Sequence, residues 1–154
     1  MNLPRRGFSL IELVIVVVII GIVAAIAIPR MSRGATGAAA SSLTGDLATL
    51  RRAIEMYKAE HDNTPPTLAN FVANLTLCST EDGTSSQANR DSTHLFGPYL
   101  QSIPPLPVGA RKGATGVGSA DGDAIGWIYD DVAGTITANC TTETDDAGTL
   151  YSSY

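Results

Sequence analysis

The most distinctive feature of the sequence is an apolar run close to its N-terminus. Residues 13–28 are all aliphatic, alanine or glycine, and the wider segment Phe8 to Ile28 adds only Ser9 and Glu12 as polar residues. As a helix, these 21 residues rise by about 30 Å, which matches the hydrocarbon core of a bilayer. The pattern predicts a membrane-spanning helix over residues 8–29. Pro29 lacks an N–H, so we expect a kink or break there.

A second helical pattern follows over residues 30–62. Leu43, Leu47, Leu50, Ile54 and Tyr57 recur at spacings of three and four, which places them on one face of an amphipathic helix. Three glycines within residues 33–45 weaken the helical signal there. The run of turn-forming residues at positions 62–66 predicts the end of the helix. Its apolar face is expected to pack on a small sheet.

Residues 63–154 predict a small soluble domain. We expect a short helix at residues 67–77, a polar loop at 78–93, and an extended proline-rich piece at 103–107. A mobile glycine-rich segment at 111–123 precedes a β-hairpin, and residues 141–154 form a loose tail. Trp127 and Tyr129 alternate with Ile128, so one strand face can cover the helix. The fold class is α+β, with a long N-terminal helix packed on a small antiparallel sheet.

The charge distribution divides the chain into a membrane-proximal part and an acidic part. The net charge is −5, yet Arg5, Arg6, Arg30 and Arg33 all flank the apolar run. After position 60, three basic residues stand against eleven acidic ones. Arg5 and Arg6 favour a cytoplasmic N-terminus and an external remainder, although Arg30 and Arg33 oppose that bias. The scattered basic residues offer no face for nucleic acid.

Glu12 is the residue that simple interpretations of the apolar run do not explain. A secretory signal peptide has a shorter core, and Ala24 to Ala27 resembles its cleavage site only loosely. A plain single-span anchor fits the length. However, a carboxylate deep in lipid costs about 3 kcal/mol and therefore points to a function and a partner.

The residues around Glu12 resemble a known signature. Gly7-Phe8-Ser9-Leu10-Ile11-Glu12 is similar to the GF(S/T)LIE motif of type IV prepilins and pseudopilins, and residues 1–7 are similar to their short basic leader. The resemblance implies that a prepilin peptidase cleaves between Gly7 and Phe8 and N-methylates Phe8. It also implies that Glu12 pairs with the Phe8 amine of a neighbouring subunit.

The same resemblance implies a pilin-like fold and a homopolymeric helical filament. Its subunits are held in the inner membrane, with the soluble domain in the periplasm, and are assembled by an inner-membrane platform. Gly21 and Pro29 bracket a segment that resembles the part of the family's helix that loosens in filaments. Close helix packing in the membrane is an equal explanation for Gly21.

Within the family, the sequence is most similar to major pseudopilins of type II secretion. This similarity rests on the short soluble domain, on the segment Gly97-Pro98-Tyr99-Leu100 with the prolines after it, and on the short terminal hairpin. A DPWG-type motif usually follows, whereas this chain has residues 105–109, PLPVG. The alternative is a true type IV pilin for adhesion, motility or DNA uptake, since pilins often close their C-terminal part with a disulfide.

The two cysteines, Cys78 and Cys140, are 62 positions apart and lie in no CxxC or Cys/His cluster. Their isolation argues against a zinc site. In an oxidising compartment we expect a disulfide between them, which would stabilise the fold by roughly 4 kcal/mol in the chain-entropy model. The alternative is two buried free thiols.

Asp121, Asp123, Asp130 and Asp131 are the densest group of acids. Carboxylate oxygens suit calcium, and the resemblance implies calcium binding in this C-terminal region. Against this, the EF-hand spacing is absent, and a solvated acidic loop and turn are the alternative. We therefore expect no cofactor, with calcium at these aspartates as the alternative.

Catalytic signatures are missing from the sequence. His61 and His94 lie in no HExxH motif, and there is no GxSxG or P-loop. The glycine-rich residues 113–118 lack the strand and helix of a dinucleotide site. We therefore expect a structural protein and not an enzyme.

Overall fold

The computed structural model describes residues 9–154, apart from the side chains of residues 28–33. Two compact units divide the chain, one ending at Thr36 and the other comprising Gly37–Tyr154. Helix α1, Leu10–Glu60, contributes residues to both units. The predicted leader and the cleavage position between Gly7 and Phe8 lie outside the described residues.

In the first unit, α1 carries the apolar run. The helix continues past position 29, so Pro29 does not end it, and the alternative of a kink stays a prediction. A Cβ at Gly21 would meet no atom within 4 Å, so nothing in the described residues requires glycine at this position. The flexibility predicted for Gly21 and Pro29 stays a prediction.

In the second unit, the apolar face of α1 forms the centre of the core. Leu43, Leu47, Leu50, Ile54 and Tyr57 are each at most 3% exposed, which confirms the predicted amphipathic face. The glycine-containing stretch before them is helical throughout, because packing of the neighbouring leucines outweighs the weak local propensity.

Helix α1 ends where the sequence predicts. Asp62 and Asn63 take left-handed backbone conformations, with φ of 52° and 57°. The Asn63 N–H donates to the Lys58 carbonyl at 2.9 Å, which satisfies one of the helix's terminal acceptors. The prolines that follow cannot continue the helix, so the chain turns back towards the core.

Short elements follow on the α1 face. A 3₁₀ turn (Leu68–Asn70) leads into α2 (Phe71–Thr76), in the region predicted to be helical. Strands β1 (Cys78–Ser79) and β2 (Ser86–Gln87) pair antiparallel within the segment predicted to be a loop. Phe71 and Leu75 are fully buried, whereas Val72 is 47% exposed. The apolar side chains of α2 are therefore only partly buried.

The larger sheet has the order β3-β4-β5. Strands β4 (Ile125–Asp130) and β5 (Thr135–Ala138) form the predicted antiparallel hairpin. Trp127 and Tyr129 are buried in the same cluster as the α1 face, which confirms that this strand covers the helix. The α+β class predicted from the sequence is therefore confirmed.

Two segments differ from the sequence predictions. Strand β3 (Gly116–Gly118) lies in the segment expected to be mobile and pairs parallel to β4. A Cβ at Gly116 would collide with the Ala124 carbonyl oxygen, so glycine permits this close backbone approach. Residues 141–154 are not a loose tail, because they end in a 3₁₀ turn (Tyr151–Ser153) whose Tyr151 is only 4% exposed.

Candidate functional site

The N-terminal part of α1 is apolar on every side. The window Leu10–Ala27 has a mean hydropathy of 3.2, and none of it is buried. Four consecutive residues, Val16, Val17, Val18 and Ile19, are 46–55% exposed. Since successive helical residues point about 100° apart, these four sample nearly the whole circumference. A helix with this surface needs lipid or other protein around it.

Glu12 is the acidic residue of the first turn of α1. It is exposed, and within residues 9–154 no hydrogen bond or ion pair of its carboxylate is found. The helix dipole favours a negative charge at this end. An environment of lipid or packed helices would not solvate this carboxylate, so either a cation or a proton would neutralise it there.

Asp121 and Asp123 are bound to Arg111. Asp121 Oδ1 lies 3.2 Å from Arg111 Nε, and Asp123 Oδ1 lies 2.8 Å from Arg111 Nη1. Asn139 Nδ2 also donates to Asp121 Oδ1 at 2.8 Å. The hydrogen bonds from Arg111 and Asn139 hold the pKa of Asp121 below its usual value.

Asp130 and Asp131 have a different role. Asp130 Oδ1 accepts the N–H groups of Val132 and Ala133 at 2.9 and 3.0 Å, so it stabilises the β4–β5 turn. Asp131 Oδ2 accepts the Leu68 N–H at 3.0 Å.

The four aspartates therefore do not converge. Among residues 9–154, no group of three or more His, Cys, Asp or Glu is placed to hold a metal. Calcium at Asp121 and Asp123 would have to displace the Arg111 guanidinium.

Comparison with protein families explains the N-terminal segment. Residues 3–28 match the model of the prokaryotic N-terminal methylation motif. The motif indicates a type IV pilin-type precursor. It implies processing by a prepilin peptidase and assembly into filaments, and together with the apolar helix it suggests membrane anchoring. Comparison with curated proteins and with solved structures gave no match.

Both cysteines are free and buried. Cys78 lies in β1, outside the main core cluster, whereas Cys140 follows β5 and belongs to that cluster. The Cys140 thiol lies 3.9 Å from the Val108 carbonyl oxygen. The disulfide between Cys78 and Cys140 that we expect in an oxidising compartment stays a prediction.

His61 is a structural residue that the sequence interpretation missed. Its ring is only 4% exposed and stacks on Tyr57 with centroids 3.7 Å apart. Nδ1 lies 2.8 Å from the Tyr57 carbonyl oxygen, and Nε2 lies 3.1 Å from Ser79 Oγ. His61 thus joins the end of α1 to β1. Its spacing of seven from Ile54 continues the apolar face, and that signal could have revealed its burial.

We predict that both thiols of the folded subunit resist alkylation. Burial raises the pKa of Cys140 from 9.0 to about 11, so its thiolate fraction at pH 8 falls about a hundredfold. Maleimide labelling followed by mass spectrometry should detect almost no adduct in the native protein. Two adducts per chain should appear in denaturant without reductant, and a requirement for reductant would instead establish a disulfide.

Proposed function

We propose that the chain, after cleavage, is a structural and non-catalytic subunit of a type IV-type filament, polymerised with copies of itself through its N-terminal helix. The observation that carries this proposal is the combination of an uncovered apolar helix with the methylation motif at its start. A membrane anchor alone requires the helix but has no use for a processing signature or for a carboxylate at position 12.

The proposed assembly mechanism depends on one charge pair. Cleavage between Gly7 and Phe8 creates a cationic amine at the start of an apolar helix. Glu12 of a neighbouring copy neutralises that amine only at the axial stagger that brings the two groups together. Because an unpaired charge in an apolar setting is costly, the pair selects the register of the subunits as well as stabilising it.

The membrane is the proposed store of subunits before assembly. The apolar helix spans the inner membrane once, with Arg5 and Arg6 on the cytoplasmic side and the acidic unit in the periplasm. An inner-membrane assembly platform then moves subunits from lipid into the filament. Lipid and helix neighbours are both apolar, so this transfer leaves the aliphatic surface covered throughout.

Within this class, we propose a pseudopilin of a type II secretion system. The support is the segment Gly97 to Leu100 and the prolines after it. The N–H groups of Tyr99 and Leu100 donate to the Leu75 carbonyl at 2.9 and 2.8 Å, and Trp127 Nε1 donates to the Pro104 carbonyl at 2.8 Å. The segment is thus built into the core beside α2 and β4.

A surface pilin is the alternative function. Its supporting feature in the sequence is a C-terminal part that a disulfide between Cys78 and Cys140 would close. The pilin alternative retains the N-terminal motif, which both types of filament require.

We predict that Glu12→Ala lowers the filament yield about tenfold or more while leaving membrane insertion intact, because the Phe8 amine loses its counter-charge. Filaments are measured by shearing and sedimentation, and insertion by carbonate extraction of membranes. Glu81→Ala, which removes an exposed glutamate of the second unit, is the matched control and should assemble normally. Wild-type filament yield from Glu12→Ala would refute the proposed pairing.

Deletion of the gene for this chain distinguishes a pseudopilin from a surface pilin. As a pseudopilin, its loss should leave folded export substrates in the periplasm, and expression of the wild-type chain, but not of Glu12→Ala, should restore their secretion. The measurement is the substrate ratio between medium and periplasm. Normal export together with loss of a long surface filament would establish the pilin alternative.

A further inference from the structure

The second unit leaves one face of α1 uncovered. Ala48, Arg52, Met56 and Ala59 recur at spacings of three and four on the side opposite the buried leucines, and all four are exposed. We refer to them as the outer helix face. Met56 is 48% exposed there, so the outer helix face presents an apolar side chain beside Arg52.

Arg52 is the charged residue of the outer helix face. No hydrogen bond or ion pair of its guanidinium is found within the part of the chain that the structure describes. The adjacent Arg51 is different, because its guanidinium donates to the backbone oxygens of Tyr154 and Ile136 at 2.9 and 3.3 Å. Arg51 therefore has a role within the fold, whereas Arg52 is available to a partner.

The tip of the β4–β5 hairpin has the complementary chemistry. We refer to Asp130, Asp131 and Val132 as the acidic tip. Val132 is 91% exposed, although it is an aliphatic residue in a well-defined turn. That turn is held by the bonds to Asp130 Oδ1 and by the Gly134 N–H donating to the Asp130 carbonyl at 2.8 Å. The exposed valine is therefore presented in a preorganised conformation.

The carboxylates of the acidic tip retain acceptor capacity. The backbone donors use Oδ1 of Asp130 and Oδ2 of Asp131. The other oxygen of each carboxylate can accept hydrogen bonds from an incoming guanidinium. The acidic tip, with Val132 beside two carboxylates, is thus chemically complementary to the outer helix face, with Met56 beside Arg52.

We propose that the acidic tip of one copy binds the outer helix face of the next copy, with Val132 packed on Met56 and the carboxylates paired with Arg52. The inference rests on the proposed function, since it supposes that copies of this chain polymerise. Charge complementarity selects a second copy as the occupant, because the part of the chain after position 60 is strongly acidic and Arg52 is an exposed cation with no ion pair among the described residues.

The two patches are different surfaces of one unit. An interface between different patches is heterologous, so repeating it builds an open helical polymer when the rotation between copies does not close into a ring. Each patch is small, and the apolar helices supply most of the cohesion. The contact between tip and face adds specificity, because only one relative placement of neighbouring copies satisfies both the charge and the apolar pair.

The test is a charge exchange in the full-length chain. R52E should lower the filament yield about tenfold, because it places a carboxylate opposite the acidic tip. Adding D131K to R52E should restore at least half of the yield, because it recreates an opposite-charge pair and leaves Val132 in place. Asp131 is exposed and does not belong to the core cluster, so its replacement does not disturb the core. K112E is the matched control, since it makes the same charge change at another exposed position and should assemble normally.

A second measurement identifies the contact directly. Met56→Cys combined with Val132→Cys should give a ladder of covalent oligomers in filaments treated with a short thiol cross-linker, whereas each single variant should give none. Cys78 and Cys140 are buried and should contribute little background.

The outcomes separate this contact from the proposed function. If the wild-type chain forms no filament, both are overturned. If wild type and R52E assemble equally, only the contact is wrong. If R52E fails, D131K does not rescue it, and the cysteine pair gives no ladder, the outer helix face binds a different surface and the pairing with the acidic tip is overturned.

Discussion

An apolar helix that its own chain does not cover is the constraint on which the rest of this molecule depends. Burying one large aliphatic side chain is worth about 1.5–3 kcal/mol, and the window Leu10–Ala27 exposes more than a dozen such residues. The chain cannot remain in water with that surface exposed. Lipid and neighbouring helices cover this apolar surface almost equally well. Apolar burial alone therefore does not determine whether the helix lies in the membrane or in a filament. The choice depends on groups that distinguish the two environments, and Glu12 is such a group.

In the second unit, the same helix contributes to the core of the fold. One face of α1 supplies the centre of a core that α2 and the three-stranded sheet complete. Around its C-terminal end, His61 stacks on Tyr57 and contacts Ser79, while the Tyr99 hydroxyl donates to Glu60 at 2.5 Å. These polar contacts fix where the chain leaves the helix. The opposite face stays uncovered, which gives a single helix one side for folding and one side for a partner.

Periodicity predicted those parts of the fold in which side chains alternate between core and solvent. The leucines of α1 and the pair Trp127 and Tyr129 both follow such a pattern, and both are buried as expected. Strand β3 could not be predicted in this way, because its glycines permit a backbone approach and carry no side-chain pattern. Residues 141–154 were wrongly predicted to be a loose tail because their composition is acidic. Asp145 nevertheless accepts the N–H groups of Ala147 and Thr149, and this turn brings Tyr151 to the core.

The candidate functional residues also divide into those that a local sequence pattern predicts and those that depend on the folded structure. The residues at the N-terminus are contiguous, so the sequence alone contains their signature. The remaining candidates depend on contacts between distant residues, such as Arg111 with Asp121 and Asp123, which no local pattern encodes.

The central claim is that this chain is a processed filament subunit, and the intact mass of the chain tests it most directly. The measurement is made on membranes from cells with an active prepilin peptidase, with N-terminal sequencing alongside. The account predicts a chain that begins at N-methylated Phe8, and an unprocessed chain in cells that lack the peptidase. A chain that still begins at Met1 in the presence of the peptidase, or one cleaved near Ala27, would contradict it.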